Sequence, residues 1–377
     1  MPVYPTPELK ADTFLKELSV MIKLNEYRPV SRLEIPNEER TVSKFPVIDA
    51  HNHLGRTVLK EDGISNQFNV KADPAYVYDA MKKFNIKHIV NLDGYPDERL
   101  DIQLKAYIDK YPGFFSIFTR VNFNELEGPN FAGWVDKHLK HYIDKGVVGI
   151  KIPKSEAGLK LKLKDGKFLK PDDDRLRPLW EGAAKYNIPV LIHIADPVAF
   201  FEKVIDNTNE RYDELSEHPD WSFGGPGFPG HKELLDCQEN MLRKNPDTRF
   251  IVAHVCSHVE NLKNAARMLD TYPNLYTDTA ERIAELGRQP YSSRDFIIKY
   301  QDRILYGTDL VPNATNVSGN YRFFETKDEY FPYNSWDEHN QGRWNIYGIY
   351  LPDDVLKKVY YENALKVIPG IKKMLNI

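Results

Sequence analysis

From residue 47 onward, short apolar runs alternate with longer stretches of helical periodicity, and this alternation constrains the fold more than any other feature of the chain. The runs are Val47–Ala50, His88–Leu92, Phe114–Val121, Val147–Ile152, Pro189–Ile194, Arg249–Ala253, Leu275–Asp278 and Ile304–Tyr306. Near-continuous apolar strands suit a parallel sheet covered on both faces, and each run is followed by enough chain for a helix. Eight such units spell α/β, and eight is also the number of strands that closes a barrel. A bare barrel of this kind uses roughly 250 residues, so a chain of 377 has room for one decorated domain.

Helix punctuation fits this reading. Asp73-Pro74 supplies an N-cap and a first-turn proline ahead of Tyr76, Ala80, Met81 and Phe84 at helical spacing. Leu351-Pro352-Asp353-Asp354 opens another helix with acids at its amino end. The run Asp172–Asp174 reads as a solvated cap before Leu179, Trp180, Ala183 and Ala184.

The alternation is interrupted in four places. Residues 1–46 precede the first strand and are expected to form an arm, with one helix, packed on a barrel that spans residues 47–377. Residues 155–171 carry LKLKLKDGKFLK and read as a β-hairpin turning at Asp165-Gly166. Residues 195–235, with GGPGFPG, and the aromatic-rich residues 310–348 are long excursions. Loops of this length are uncommon without a function, and the three internal ones follow strands, on the face where barrel enzymes keep their chemistry.

The strongest chemical signal is VIDAHNHLG at 47–55. His51 and His53 stand two apart at the end of an apolar strand, so both imidazoles project to one side, the interior mouth of a barrel. Two rings so close suit a metal ion. In PVLIHIADP the apolar run ends on His193, in FIVAHVCSH on His254, and in LYGTDL on Asp309. Metal-competent residues thus stand at the ends of runs one, five, six and eight. Arg120 ends the third run in FTRVNF, and Arg282 follows the seventh in TDTAER; arginine at such places suits two-point binding of a substrate carboxylate or a salt bridge between loops. Asp93, Asp196 and Glu281 are placed to hydrogen-bond the histidines from behind. Glu325 reads as one acid in an aromatic lid, and Cys256 as packing. His88 begins a strand and faces the other end, and His138 and His141 sit in a polar helix. His218, His231, His258 and His339 fall in loops or helices, with His258 and His339 able to approach the mouth.

The order His-x-His, His, His, Asp across eight strand–helix units resembles the amidohydrolase superfamily. VIDAHNH near the start and YYENALKVI at 360–368 are similar to its amidohydrolase-related TIM barrel branch, which includes the aminocarboxymuconate-semialdehyde-decarboxylase type. The likeness covers roughly residues 46–370. It implies a TIM barrel in which His51, His53, His193 and Asp309 bind a divalent cation, zinc above others, with His254 beside it as acid, base or transition-state stabiliser. Such a set leaves a position for water, and Asp309 can bind with one oxygen and take a proton with the other. GIKIP around Lys151 resembles the fourth-strand motif of two-metal members, where a carboxylated lysine bridges the ions. Mononuclear relatives carry a similar sequence, and one metal per chain is the expectation, with Lys151 then giving charge or a hydrogen bond near substrate. The family holds both hydrolases and nonoxidative decarboxylases. The expected activity is metal-dependent hydrolysis of a small amide, lactone or ester that bears a carboxylate; the alternative is decarboxylation of an aromatic or unsaturated acid.

Composition removes other classes. Net charge is −4 and the basic residues are scattered, so nothing steers the chain to nucleic acid or an anionic membrane. Cys237 and Cys256 are too few for an oxidised framework and read as reduced thiols. The opening MPVYPTPELKADTF lacks a secretory pattern, and no apolar run approaches the roughly 20 residues of a membrane span. The expectation is a cytoplasmic protein with a small-molecule substrate, with homo-oligomer formation left open.

Overall fold

The structure, a computed structural model, describes residues 23, 26, 29–54, 73–309, 314–333 and 341–377. The chain divides into two units, Met1–Ile35 and Pro36–Ile377. The helix expected in the amino-terminal arm, the first part of the excursion at 310–313, and residues 334–340 with His339 lie outside the described residues.

In the second unit eight parallel strands run in sequence order around a barrel: β1 (Val47–Asn52), β2 (Ile86–Gly94), β3 (Phe115–Thr119), β4 (Gly149–Ile152), β5 (Val190–Ile192), β6 (Phe250–Val252), β7 (Leu275–Asp278) and β8 (Ile304–Leu305). The chain leaving β8 returns to β1: Ala50 N–H donates to Tyr306 O at 3.0 Å, and Asp309 N–H donates to His51 O at 2.7 Å. Nearly every strand residue is buried, the consequence of covering a parallel sheet on both faces. Each of the eight expected runs coincides with a strand, with ends displaced by up to two residues, as the frayed ends of short ladders allow.

Side chains alternate between two layers. Ile48, Ala50, Val90, Leu92, Phe118, Leu191, Ile251, Ala253 and Leu305 fill the barrel, together with Val367, Ile368 and Ile371 from the carboxyl-terminal segment. Ile89, Phe115, Ile150, Val190, Val252 and Ile304 pack outward with Val77, Leu139, Trp180, Met241 and Met268 of the surrounding helices. The interior is tight at β4, where a Cβ on Gly149 would stand 2.4 Å from the Phe118 ring.

The helix at Pro74–Lys83 starts as its sequence dictates, with Asp73 accepting from the Ala75 and Tyr76 amides. The Asp172–Asp174 run also caps: Asp173 accepts from the Arg175 amide ahead of the helix Arg177–Lys185. Residues 155–171 form a narrow hairpin-like turn with one antiparallel bridge, Lys162 to Phe168. The excursion after β5 folds into short helices and is tied down by the buried Arg211. This side chain reaches Glu214 at 2.9 Å and also pairs with Glu285 of the segment after β7. Glu325 lies away from the mouth, accepting from Tyr360 and the Lys44 amide. Cys237 and Cys256 are free and buried, and burial pushes both thiols up to about 12, so neither is a nucleophile. Among the described residues no helix is long and apolar enough to cross a membrane.

His88 in β2 is a buried core histidine, its nitrogens 2.9 Å from Gly113 O and 2.8 Å from Ser116 Oγ. Burial lowers its pKa from 6.5 to about 4. The folded state therefore resists the proton that the unfolded chain accepts. Stability from the neutral ring is complete above 6.5 and is lost as pH falls toward about 4. The loss at the lower end is about 3 kcal/mol. Denaturant unfolding across this range is expected to show His88→Gln less acid-sensitive than the parent. Equal pH slopes would assign the acid loss to other groups.

Candidate metal centre

The site stands at the carboxyl end of the strands, and its geometry begins with a fault in β1. Ile48 and Ala50 point into the barrel, so strict alternation would turn His51 outward. The β1–β2 register shifts between Asp49 and Asn52, and this irregularity brings His51 inward with His53 two residues on. Asp49, buried behind the bulge, holds it. It accepts from the His51 amide (3.2 Å), Asn52 Nδ2 (3.0 Å), the Thr308 amide (3.1 Å) and Thr308 Oγ1 (2.6 Å), lashing β1 to the chain after β8. Burial raises its carboxyl to about 6 against those hydrogen bonds. Gly307 permits the close approach, since a Cβ there would lie 2.7 Å from His51 Cβ.

Each of three rings has its Nδ1 engaged from behind. His51 Nδ1 is 2.9 Å from Asp278 Oδ2, His53 Nδ1 is 2.8 Å from Asp93 Oδ1, and His254 Nδ1 is 2.8 Å from Ala280 O. These acceptors assign the proton to Nδ1, so each Nε2 presents a lone pair to the interior. Asp309 meets them there. Its Oδ1 is 2.8 Å from His51 Nε2 and 3.2 Å from His53 Nε2, and its Oδ2 is 3.7 Å from His254 Nε2. Burial opposes the Asp309 charge, but the facing histidines hold its pKa well below the usual carboxylate range. Burial and Lys151 work against an imidazolium at His51; Asp309 and Asp278 outweigh them and raise its pKa.

The Nε2 atoms of His51 and His53 and the ionised Asp309 carboxylate thus converge, a donor set in which a cation can take the place of shared protons. The ligand atoms of these three residues lie within 4.8 Å of one another, and so do those of His51, His254 and Asp278. His193 joins through His254: its Nδ1 is 3.2 Å from His254 Nε2, while its Nε2 is 3.2 Å from Asp196 Oδ1. Burial lowers the His193 pKa to about 4, against Asp196, and keeps the ring neutral. Lys151 on β4 is fully enclosed, with Nζ 3.2 Å from His51 Nε2, and burial lowers its pKa to about 8.

His254 rides on an unusual backbone. The expected run ended at Ala253, but β6 stops at Val252, and His254, Val255, Cys256 and Ser257 take φ of 61°, 57°, 58° and 58°. Left-handed backbone costs roughly 1–2 kcal/mol per residue without glycine. Fixed partners offset this: the His254 amide donates to Asp278 Oδ1 at 3.0 Å, the Cys256 amide to Thr277 Oγ1 at 2.8 Å, and Gln238 Nε2 to Cys256 O at 3.0 Å. Asp278 therefore sets both His51 and His254.

The arginines differ in placement. Arg120 donates to Asp93 Oδ1 at 2.8 Å, behind His53. Arg282 donates to the Glu281 carbonyl at 2.6 Å, and its charge, after burial, helps keep His254 neutral. Asp93 and Asp196 sit behind histidines as expected. Glu281 does not fit that expectation, for its carboxylate faces Gln341 at 2.6 Å and Asn316 at 3.4 Å, and so ties loops together. His258 turns to Asn264 and away from the metal-competent group. Sequence reasoning passed over Asp49 and Asp278, although an acid inside the apolar runs VIDA and LYTD was a usable signal.

A family model described as Amidohydrolase matches residues 48–370. The chain belongs to the amidohydrolase family. No curated protein matches it. Among solved structures, 2,6-dihydroxybenzoate decarboxylase from Rhizobium is 14% identical, with 86% of this chain and 99% of that one covered at a TM-score of 0.51. 4-Oxalomesaconate hydratase from Rhodopseudomonas palustris is 12% identical, with 88% and 98% covered at 0.52. At such identities the likeness is one of fold: this amidohydrolase-family chain is built on a (β/α)8 TIM barrel, and the family points to an enzyme. Its members typically bind divalent metals, and the His/Asp groups present could hold one.

Proposed function

We propose that the protein is a metal-dependent hydrolase of a small, carboxylate-bearing lactone, amide or ester, with one zinc ion held by His51, His53, His193 and Asp309. The observation that carries this reading is the double exposure of Asp309. Its Oδ1 lies between the His51 and His53 nitrogens, and its Oδ2 faces His254. One oxygen is thus free to accept a proton beside a neutral imidazole that can relay it. A divalent cation, when bound, supplies Lewis acidity that favours attack by water near neutral pH. The protein's own groups do the rest. Asp278 and Asp93 fix the two rings of β1, the Ala280 carbonyl fixes the tautomer of His254, and Lys151 contributes positive charge beside His51. Arg282, beside His254, is the group for a substrate carboxylate.

The test is metal analysis of protein purified without added metal, followed by a panel of lactones, amides, esters and unsaturated or aromatic acids, with and without chelator. The expected result is about one zinc per chain and chelator-sensitive hydrolysis restored by zinc. Metal-dependent release of carbon dioxide from an acid, with no hydrolysis, would replace the hydrolase reading with a decarboxylase.

A further inference from the structure

A cleft of about 400 Å³, sharing no residue with the metal centre, lies between the segment that leads into β1 and the one that opens the helix Asp353–Lys357. Its volume falls in the roughly 300–1,000 Å³ range of small-molecule sites. Val42, Leu351, Pro352 and Leu356 give it an apolar lining. Four of the lining residues carry charge, and three of these are spoken for: Lys44 Nζ is 2.6 Å from Asp353 Oδ1, and Arg40 donates to Glu38 Oε2 at 2.7 Å. Glu325 is the fourth. It lines the cleft with 8% of its surface exposed and has no ion-pair partner among the described residues. Its two hydrogen bonds, from the Lys44 amide and the Tyr360 hydroxyl at 3.1 Å each, both fall on Oε1, and Oε2 accepts none. A carboxylate oxygen so placed has lost most of its water without gaining a donor, which is costly. Burial accordingly raises the Glu325 carboxyl, against those two hydrogen bonds and the charges of Arg40 and Lys44.

A ligand that completes this cleft supplies a donor at Oε2 and apolar surface for the rest of the lining. Since Asp353 and Glu38 already neutralise Lys44 and Arg40, the charge left unbalanced is the negative one of Glu325. A protonated amine answers it best, because a hydrogen bond between two ionised groups is about twice as strong as one between neutral groups. A carboxylate would instead meet Glu325 as a like charge. We propose that this cleft binds an organic ammonium ion, its nitrogen on Glu325 and its apolar body against Val42, Leu351, Pro352 and Leu356. The site is separate from the reaction at the barrel mouth and does not depend on it.

The test is calorimetric titration of the protein as purified with three ligands of one shape, 2-phenylethylamine, 2-phenylethanol and 3-phenylpropionate. One hydrogen bond to a charged group corresponds to about 10–100-fold in affinity. The amine is therefore expected to bind at least about tenfold tighter than the alcohol or the acid. Glu325→Gln keeps an acceptor for the Lys44 amide and the Tyr360 hydroxyl but removes the charge, and should bring the amine level with the alcohol. Val42→Trp, at a half-exposed position that tolerates a larger side chain, should fill the cleft and weaken the amine and the alcohol alike, so the site is still read if Glu325→Gln fails to fold. The amine should bind undiminished when His51 and His53 are both replaced by Ala. Absence of amine binding, a preference that survives Glu325→Gln, amine binding unchanged in Val42→Trp, or its loss in the double histidine variant, which would place the amine at the metal centre, each overturns the proposal.

Discussion

Asp309→Asn is expected to lower turnover by at least the roughly 10²–10⁴-fold that a general base contributes, while part of the metal stays on the histidines. The substitution keeps the shape of the carboxylate but removes its charge and proton-accepting lone pair, and Asp309 is the group that faces His51, His53 and His254 at once. The companion variant separates roles. His254→Asn should retain the metal and still lose most turnover, because the expected ligand set does not include His254 and its Nε2 is 3.7 Å from Asp309 Oδ2. Metal analysis beside steady-state kinetics reads both. Loss of metal from His254→Asn would make His254 a ligand and favour two ions, with Lys151 between them.

The second large effect is on the metal itself. Replacing His51 and His53 together by Ala is expected to strip the ion from the purified protein, since two lone-pair nitrogens vanish from the group that converges on Asp309. Elemental analysis gives the count directly. Full occupancy in the double variant would place the ion elsewhere and end the assignment. The variant should fold, because β1 is held to the chain after β8 by Asp49 and Thr308, which the substitutions leave intact.

Much of this architecture was legible in the sequence, for a physical reason. A parallel barrel strand is buried on both faces, so its residues are apolar in unbroken runs, and its surrounding helices repeat at a different period. Those local patterns fix the number of strands and the chain positions where polar residues meet the mouth: His51, His53, His193, His254 and Asp309 all stand at or just beyond strand ends. The family likeness then rests on the same residues.

What the sequence could not carry depends on contacts between distant segments. Alternation alone would have turned His51 out of the barrel; a bulge braced by Asp49 and Thr308, 259 residues apart, turns it in. His254 was read as the end of a strand, but Asp278 and Thr277 hold it in a left-handed turn that its own local preferences oppose. Burial period is a property of neighbours in sequence and is written there. Hydrogen-bond partners, bulge register and the charge around a buried carboxyl are properties of neighbours in space, and only the closed barrel brought those together.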